Sequence, residues 1–542
     1  MFLWSSTTRI CGSCTANRLT SICWIASEPS AKTGQTELMN CHQLCQPAVL
    51  IYFFTISLML GTKPRHQLPT CLSMVAHCAL ADKGQSMGGS PKTINPRFIG
   101  AVLVASCLTA CSALEPVALP SAPEVLKAPE QFSTPAQDDG QITRGLLDLF
   151  DDPVLRATVI QAQSDNLDLK QSAKRLELAG IDLATTAADA WPRLSGAVNA
   201  NRGSAAGESL APTLDVQWEV DLWGRQADRR RVSFASRAAE VARHQALQDS
   251  IAGQLMQAWF DAVAAKQQQR LEARRVKLLR SSAENTRANY RAGIGTLDDL
   301  SAIERDVALS QAALALREGQ THDAVRRVEL LLGQYPDNSL EIPARLPRLK
   351  SSPKPGLPLA VMVARPDMKA AWQEAVAANR RISVSQKDLL PQISLTGQFG
   401  SVSNDFSTLS HGATVWSLAS SLTAPIFEAG RRRANIEASK RRADQALITY
   451  LQTALIAFSE VERALDQERI LARREARLRA AVTHARATEA TFETRYRAGL
   501  STILDLLSAR NAVFDIQSQL LEVRNARLKN RVALGLALGK GV

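Results

Sequence analysis

The sequence predicts a mainly α-helical protein that also carries a transmembrane β-barrel, which long helices continue outside the membrane. Three observations predict this fold class. Two uninterrupted helical patterns run for about 68 residues each, four shorter runs alternate apolar and polar residues, and the whole plan occurs twice, about 200 residues apart. A repeat of that size is a duplicated, domain-sized unit and not a solenoid module.

Composition limits the functions open to the 542 residues. Formal net charge is +12, but after the N-terminal region Lys and Arg are mixed with Glu and Asp along the helices, which is typical of solvated helix faces. We therefore expect no nucleic-acid partner. No cysteine follows Cys111, and the later histidines are widely separated, so we expect no catalytic site, no metal and no cofactor. These histidines are His244, His322, His411 and His484.

Cys111 ends a pattern that is typical of a secretory signal. Two basic residues precede an apolar run at 98–106 that is too short to span a bilayer, and small residues lead to the cysteine. The order Leu-Thr-Ala-Cys resembles a bacterial lipobox, so 87–110 is predicted to be a lipoprotein signal peptide and Cys111 the acylated N-terminus. Ser112 at the next position resembles outer-membrane sorting. Two or three acyl chains would hold the protein on the membrane permanently.

The segments on either side of this signal are not expected to fold with the helical body. Residues 1–86 share no composition with that body, and we interpret them as an over-extended start, with translation beginning at Met87. The Pro-rich residues 111–145 are predicted to form an extended tether between lipid and fold.

The first unit is predicted at 146–340. Its elements are a helix (155–190), two alternating strands (193–201 and 213–222), a long helix (224–292) and a return helix (296–332). Trp191-Pro192 ends the first helix. One polar strand face carries Asp215, Glu219 and Asp221, which could bias a bore towards cations, although a merely solvated polar wall is the commoner explanation.

The same order returns after a Pro-rich linker at 341–358, and the second unit is predicted at 359–542. Its elements are a helix (359–390), strands that include Ile393 to Phe399 and Trp416 to Ile426, a long helix (430–498) and a return helix (502–538). Pro391 ends the helix as Pro192 does, 199 positions earlier. A helix of about 68 residues is about 100 Å long, which no globular core could bury.

The two long helices end in nearly identical turns, displaced by 206 positions. Tyr-Arg-Ala-Gly at 290–293 recurs at 496–499, and a threonine follows each glycine by three residues. Glycine can adopt the positive φ that a helix C-terminus needs, and threonine can cap the next helix. Each turn should therefore join two antiparallel helices, and an ordinary helical hairpin would explain either copy alone.

Four strands per chain cannot close a barrel, and an open sheet edge in lipid leaves unpaired backbone groups. The chain must therefore associate with copies of itself. Two chains would give an eight-stranded barrel, and side chains fill the interior of a barrel of that size. Three chains would give twelve strands and a water-filled bore.

Several motifs together resemble one family. Trp-Glu-Val-Asp-Leu-Trp-Gly-Arg at 218–225, Pro-Ile-Phe-Glu-Ala-Gly-Arg at 425–431, the two turns and the lipobox resemble the TolC-like outer-membrane efflux proteins, in their NodT-type lipoprotein branch. The resemblance implies a homotrimer with a twelve-stranded barrel and a periplasmic helical barrel in the outer membrane. It also implies partnership with a periplasmic adaptor (membrane fusion protein) and an inner-membrane pump of the resistance-nodulation-division type. Arg193 at the start of the first strand departs from the pattern, so contacts inside the bore are not transferred.

The resemblance also implies that the turns form grooves between subunits that receive the adaptor. The residues expected there are Tyr290, Gly293, Thr296, Leu297, Leu300, Tyr496, Gly499, Thr502, Ile503 and Leu506. Asp298, Asp299 and Asp505 would crowd near the axis of a trimer, where like charges repel, and are predicted to belong to a gate at the tip.

Two other functions stay open on the sequence alone. The same architecture would serve as the outer-membrane channel of a type I protein secretion system. In a different class, a periplasmic coiled-coil adaptor or structural lipoprotein would use the four alternating runs as a soluble β-domain.

Overall fold

The computed structural model describes residues 129–133, 145–203, 207–349, 356–404 and 412–542. The predictions for 1–86, for the signal at 87–110, for lipidation of Cys111 and for most of the tether at 111–145 lie outside these residues. In the described part of the chain, none of the helices combines the length and the apolar character needed to cross a membrane.

The two predicted units have the same order of elements. The first contains a short 3-10 helix (Leu146–Leu149), α1 (Pro153–Asp165), α2 (Leu167–Ala188), β1 (Arg193–Gly203), β2 (Gly207–Val220), α3 (Arg225–Arg291) and α4 (Leu297–Leu331). The second contains α5 (Pro358–Ala364), α6 (Pro366–Lys387), β3 (Gln392–Val402), β4 (Ala413–Thr423), α7 (Arg431–Arg497) and α8 (Ile503–Ala537).

The long helices α3 and α7 have 67 residues each, as the pattern predicts. Each begins after a glycine in the left-handed region, Gly224 with φ 71° and Gly430 with φ 84°. At about 1.5 Å per residue each helix is about 100 Å long. The return helices α4 and α8 have 35 residues and flank only half of that length.

The helix predicted before each strand pair is broken in two, which corrects the prediction of single helices at 155–190 and 359–390. Asn166 separates α1 from α2, and its side chain accepts a hydrogen bond from the Leu169 backbone N–H (3.1 Å). Arg365 separates α5 from α6 and precedes a proline, which disfavours helical backbone in the residue before it.

All four strands form one antiparallel sheet in the order β1-β2-β3-β4, so pairing of β2 with β3 joins the two units. Strand β4 ends at Thr423, and Ile426, predicted within it, lies outside it. Strand β2 ends at Val220, so Asp221 does not share its polar face with Asp215 and Glu219, contrary to the prediction.

The core lies along α3, which packs against α1, α2, α4, α6 and α8. Trp259 and Phe260 are fully buried in its middle, together with Leu528 and Val532 of α8. A second cluster joins α7, α8 and the region of α5. A third cluster lies beside the turns and contains Leu279, Ile303 and Leu506.

Candidate functional site

The two turns between the long and return helices have one geometry, as their sequences predict. In the first, Gly293 has φ 75°, its N–H donates to the Tyr290 carbonyl (3.0 Å), and the Ile294 N–H donates to the Asn289 carbonyl (3.0 Å). In the second, Gly499 has φ 71°, and the Gly499 and Leu500 N–H groups donate to equivalent carbonyls. This is the Schellman arrangement, which satisfies the last carbonyls of a helix.

A threonine caps the helix after each turn. The Thr296 hydroxyl accepts from the Asp299 N–H (3.1 Å), and the Thr502 hydroxyl accepts from the Asp505 N–H (3.2 Å). Asp505 completes a capping box because its carboxylate accepts from the Thr502 N–H (2.9 Å). The Thr502 hydroxyl also donates to the Asp505 carboxylate (2.7 Å), and this hydrogen bond together with the one from the Thr502 N–H lowers the pKa of Asp505. Asp505 is therefore part of a helix cap and the Asp299 carboxylate accepts from the Thr296 hydroxyl (2.7 Å), whereas Asp298 is exposed in the first turn of α4.

The two turns differ in what they leave exposed. Leu297 is 58% exposed, but its equivalent Ile503 is only 4% exposed and Leu506 only 2%. Both buried side chains pack with Leu279 and Ile303 in the cluster beside the turns. Ile503 and Leu506 therefore hold the two hairpins together and cannot offer a docking surface, which corrects that part of the prediction.

Other apolar side chains stand at the turns instead, and sequence reasoning missed them. Ile294 and Leu500 directly follow the two glycines and are each 77% exposed, and Leu504 is half exposed. The sequence did contain a signal for these residues. The position after each glycine carries an apolar residue in both copies, and neither the turn nor the capping of the next helix requires one there. Tyr290 is also exposed, whereas Tyr496 and Leu300 pack against the cluster.

A buried arginine connects three helices close to the turns. The guanidinium of Arg510 on α8 donates to the Ser282 hydroxyl of α3 (2.7 Å) and lies 3.8 Å from Glu489 and 3.9 Å from Glu493 of α7. Burial raises the pKa of Glu489. Three helices therefore meet at one polar contact inside the bundle.

The three carboxylates that the sequence predicts on one polar strand face each have a partner in the structure. Asp215 accepts from the Gln398 amide of β3 (3.1 Å), and Glu219 pairs with Arg225. Asp221 accepts from the Gln226 (3.0 Å) and Ala227 (2.9 Å) N–H groups, so it caps α3. Among the described residues no group of three or more His, Cys, Asp or Glu could hold a metal ion.

Charged pairs join the two units where the sheet meets the helices. Arg225 at the start of α3 donates to Asp388 after α6 (2.9 Å). The Lys387 ammonium reaches Asp228 at 2.6 Å, and Asp228 is fully buried. The Trp223 indole donates to the Pro391 carbonyl. These contacts hold the start of α3 against the end of α6, across the boundary between the two units.

Comparisons with known proteins agree with this architecture. The family model described as outer membrane efflux protein matches residues 159–334 and 358–540, which cover both units. The cation efflux system protein CusC of Escherichia coli O6:H1 is 27% identical over 467 residues, 81% of this chain and 97% of that protein. The probable outer membrane lipoprotein SilC of Salmonella typhimurium is 27% identical over 80% of this chain and 96% of its own length.

A solved structure has the same fold. The CmeC outer membrane channel of Campylobacter jejuni superposes with a TM-score of 0.74 at 20% identity, over 78% of this chain and 94% of that chain.

Proposed function

The chain belongs to the outer membrane efflux protein family, and on that basis we propose that it is the outer-membrane channel of a tripartite efflux system. It conducts drugs or other small molecules passively from an inner-membrane pump, of the resistance-nodulation-division type, and a periplasmic adaptor to the cell exterior. The observation that carries this function is a four-stranded sheet with an exposed apolar face, joined directly to helices of 67 residues.

Three copies close the channel. The apolar face exposes Leu194, Val198, Trp416, Leu418 and Leu422, which suits lipid outside. Asp215 and Glu219 lie on the opposite face, where twelve strands would enclose water. The long helices then extend the bore about 100 Å into the periplasm as a helical barrel.

Lipid holds the N-terminus. We assign 87–110 to a signal peptide, Cys111 to the acylated end and 111–145 to the tether, followed by efflux units at 146–340 and 359–542 joined by the linker 341–358. The lipobox supports this assignment, and so does the name of SilC, a probable outer membrane lipoprotein. Residues 1–86 are then absent from the mature protein.

The turns form the adaptor-docking tip. Exposed residues of both turns supply its surface: Tyr290, Gly293, Ile294, Thr296, Leu297, Gly499, Leu500, Thr502 and Leu504. A Cβ built at Gly293 or Gly499 meets nothing within 4 Å, so a large side chain there points into open space and blocks only an incoming partner. Asp298, Asp299 and Asp505 lie close to the closing point of the bore, where a gate would act.

The test compares Gly293→Trp and Gly499→Trp with Gly293→Ala and Gly499→Ala. All four variants carry the cost of a non-glycine residue at positive φ, about 1 kcal/mol, but only tryptophan adds bulk. We expect the tryptophan variants to keep normal protein level in the outer membrane while abolishing drug resistance and cross-linking to the adaptor. The alanine variants should retain both. Resistance that survives in both tryptophan variants at normal protein level would remove the tip as the docking site.

A further inference from the structure

A groove of about 430 Å³ crosses the apolar face of the sheet. Its lining includes Gly196 and Val198 of β1, Leu214 of β2 and Phe399 of β3. Gly196 pairs with Leu214, and Leu214 with Phe399, so these residues share the face on which Leu194 is exposed. A Cβ built at Gly196 comes no closer than 3.9 Å to a neighbouring side chain. The missing side chain therefore leaves this part of the groove open.

The groove runs obliquely from the helix end of the sheet towards its middle. On β1 it includes Gly196, three residues after the strand begins at Arg193. On β3 it includes Phe399, seven residues after the strand begins at Gln392. Both strands follow a helix, so both begin at the end of the sheet that would face the periplasm. In an inserted sheet the groove is therefore entered from the inner leaflet of the outer membrane.

One side of α3 is the outer surface of the proposed helical barrel. Contacts with α2 and α6 occupy two sides of this helix, and on a third side Asp249 accepts from the Val542 N–H (3.3 Å). Because the bore has to stay open, the side on which the C-terminal residues pack is the outer one. Arg231 precedes Asp249 by 18 residues, which is about five helical turns, and therefore lies on the same outer side.

Two arginines and an aromatic ring are exposed at the membrane end of α3. We call Arg230, Arg231 and Phe234 the basic patch; Phe234 is 63% exposed. The contact of Ser233 with Thr186 of α2 (3.0 Å) fixes the height of the patch, because α2 leads up to β1 and α3 leads down from β2. Arg230 is nearly one turn above that contact and is level with the end of α2. The basic patch thus lies directly below the strands that carry the groove.

The basic patch keeps a net positive charge. Arg231 donates to Asp228 (2.7 Å), but the same carboxylate is also paired with Lys387 (2.6 Å). One carboxylate thus serves two cations, and Arg230, which has no ion pair among the described residues, adds a third. A guanidinium can bind a phosphate through two hydrogen bonds, and cations beside a membrane attract anionic headgroups.

We propose that the groove and the basic patch together bind one anionic phospholipid of the inner leaflet, with an acyl chain in the groove and the phosphate on Arg230 and Arg231. The inference rests on the proposed insertion of the sheet in the outer membrane and adds a lipid site to it. An outer-leaflet lipid cannot occupy the site, because its headgroup would lie at the hairpin end of the strands, away from the basic patch.

The dimensions fit such a lipid. From Val220 to Leu214, β2 rises about 15 Å if it is tilted by about 40°, and Arg231 lies about 9 Å below the start of α3. Half of a bilayer with its headgroups is about 20–22 Å thick. Leu194 and Leu222 are exposed between the groove and the basic patch, so the apolar surface is continuous along the path of the acyl chain.

Native mass spectrometry of the full chain tests the headgroup contact. The protein in detergent is mixed with equal amounts of phosphatidylglycerol, which is anionic, and phosphatidylethanolamine, which is zwitterionic, and the lipids that stay bound are identified. Arg230→Gln with Arg231→Gln removes the charges of the basic patch. Arg473→Gln with Arg474→Gln is the matched control, because these exposed arginines lie about 60 Å from the membrane end of α7.

The same measurement tests the groove with a second pair of variants. Gly196→Leu fills the groove with an apolar side chain. Ala200→Leu adds the same side chain on the same face of β1, outside the groove, and is its control. Both positions are exposed, as are the four arginines, so each variant should keep the fold.

We expect wild type to retain phosphatidylglycerol in preference to phosphatidylethanolamine. The double variant Arg230→Gln and Arg231→Gln should bind at least about fivefold less phosphatidylglycerol, the effect of one arginine beside anionic lipid, with phosphatidylethanolamine unchanged. Gly196→Leu should lower the binding of both lipids, because both have the acyl chain. The two control variants should bind both lipids as wild type does.

The opposite results separate the parts of the proposal. Phosphatidylglycerol binding that is equal in the two arginine double variants overturns the headgroup contact, and equal lipid binding by Gly196→Leu and Ala200→Leu overturns the groove. A wild type that shows no preference for phosphatidylglycerol, or that retains neither lipid, overturns the site while the channel stands. Recovery of wild type in the soluble periplasmic fraction would instead overturn the proposed insertion in the membrane.

Discussion

At the scale of single residues, a cluster of paired charges is buried between α7 and α8. The Glu468 carboxylate accepts from Arg531 (2.8 Å) and Arg527 (3.1 Å), and Arg531 is only 2% exposed. Burial alone would raise the pKa of Glu468, but the two guanidinium groups hold it below its ordinary value. Since a buried charge without its partner is costly, this cluster depends on every member.

Glu468→Gln should therefore destabilise the helical bundle far more than loss of an exposed pair. The substitution leaves the buried Arg531 facing an uncharged amide, which we expect to lower the free energy of unfolding by about 3–5 kcal/mol. Glu437→Gln removes the exposed pair with Lys440, which water screens, and should change the stability little. Thermal unfolding followed by circular dichroism compares the two, and equal midpoints would contradict the assigned role of the cluster.

Acid should weaken the same cluster in the wild type. Because the pKa of Glu468 is lower in the folded than in the unfolded chain, its contribution is fully present above the unfolded pKa of about 4.3 and is lost as pH falls through the folded pKa. The gap in stability between wild type and Glu468→Gln should therefore narrow below about pH 4. A gap that is constant from neutral to acidic pH would contradict this assignment.

At the scale of elements, the break in each leading helix is tied to the end of the return helix of the same unit. The Asn166 amide donates to the Leu331 carbonyl (2.8 Å), and the Arg365 guanidinium donates to the Ala537 carbonyl (3.1 Å). Asn166 and Arg365 lie 199 positions apart and Leu331 and Ala537 lie 206 apart, the displacements between the two units, so the pairs are equivalent although the side chains differ. The helix break is thus a joint that attaches the leading helices to the end of the return helix in each unit.

Asn166→Leu should open this joint. The change leaves the Leu331 carbonyl and the Leu169 N–H without their partner in a place where Asn166 is 3% exposed, and we expect a loss of about 1–3 kcal/mol in stability. Gln171→Leu, at an exposed position of α2, is the control. Faster hydrogen exchange at the ends of α1 and α4 in Asn166→Leu alone would confirm the joint, and unchanged exchange would contradict it.

What the sequence could predict depends on how local the cause is. The turns were predictable because Gly293 and Thr502 act on backbone within a few residues of themselves. The break at Asn166 was less so, since its side chain also binds a carbonyl 165 residues away, whereas Pro366 is a local signal for the break at Arg365 that the prediction of one helix overlooked. The burial of Ile503 was also beyond the sequence, because it follows from packing of α8 against α3, whereas its equivalent Leu297 stays exposed.

At the scale of the whole molecule, apolar side chains on α2 and α7 are exposed where their counterparts are buried. Leu178 on α2 is 58% exposed, and its equivalent Ala377 on α6 is fully buried; Ile448 on α7 is 55% exposed, and its equivalent Ala242 on α3 is only 8% exposed. Since α6 packs against α3 inside one chain, the internal repeat predicts that α7 of one copy packs against α2 of the next in the proposed oligomer. Leucine and isoleucine in place of two alanines should set these helices farther apart than α3 and α6.

The last prediction is that this helix face, and not only the strand edges, holds the oligomer together. Leu178→Asp and Ile448→Asp each place a carboxylate where an apolar contact between copies is expected, and burying it without a partner costs several kcal/mol. Because both positions are exposed in the single chain, the fold of each copy should be preserved, with unchanged helix content by circular dichroism.

Val241→Asp is the matched control. Val241 is 43% exposed and precedes the buried Ala242, and successive helix residues point about 100° apart at 3.6 residues per turn, so the same charge there should leave assembly intact. Native mass measurement of detergent extracts distinguishes the outcomes. We expect single chains from the α2 and α7 variants and oligomers from the control. Oligomers in all three would mean that the helix faces are not in contact and that pairing of the strands alone closes the ring.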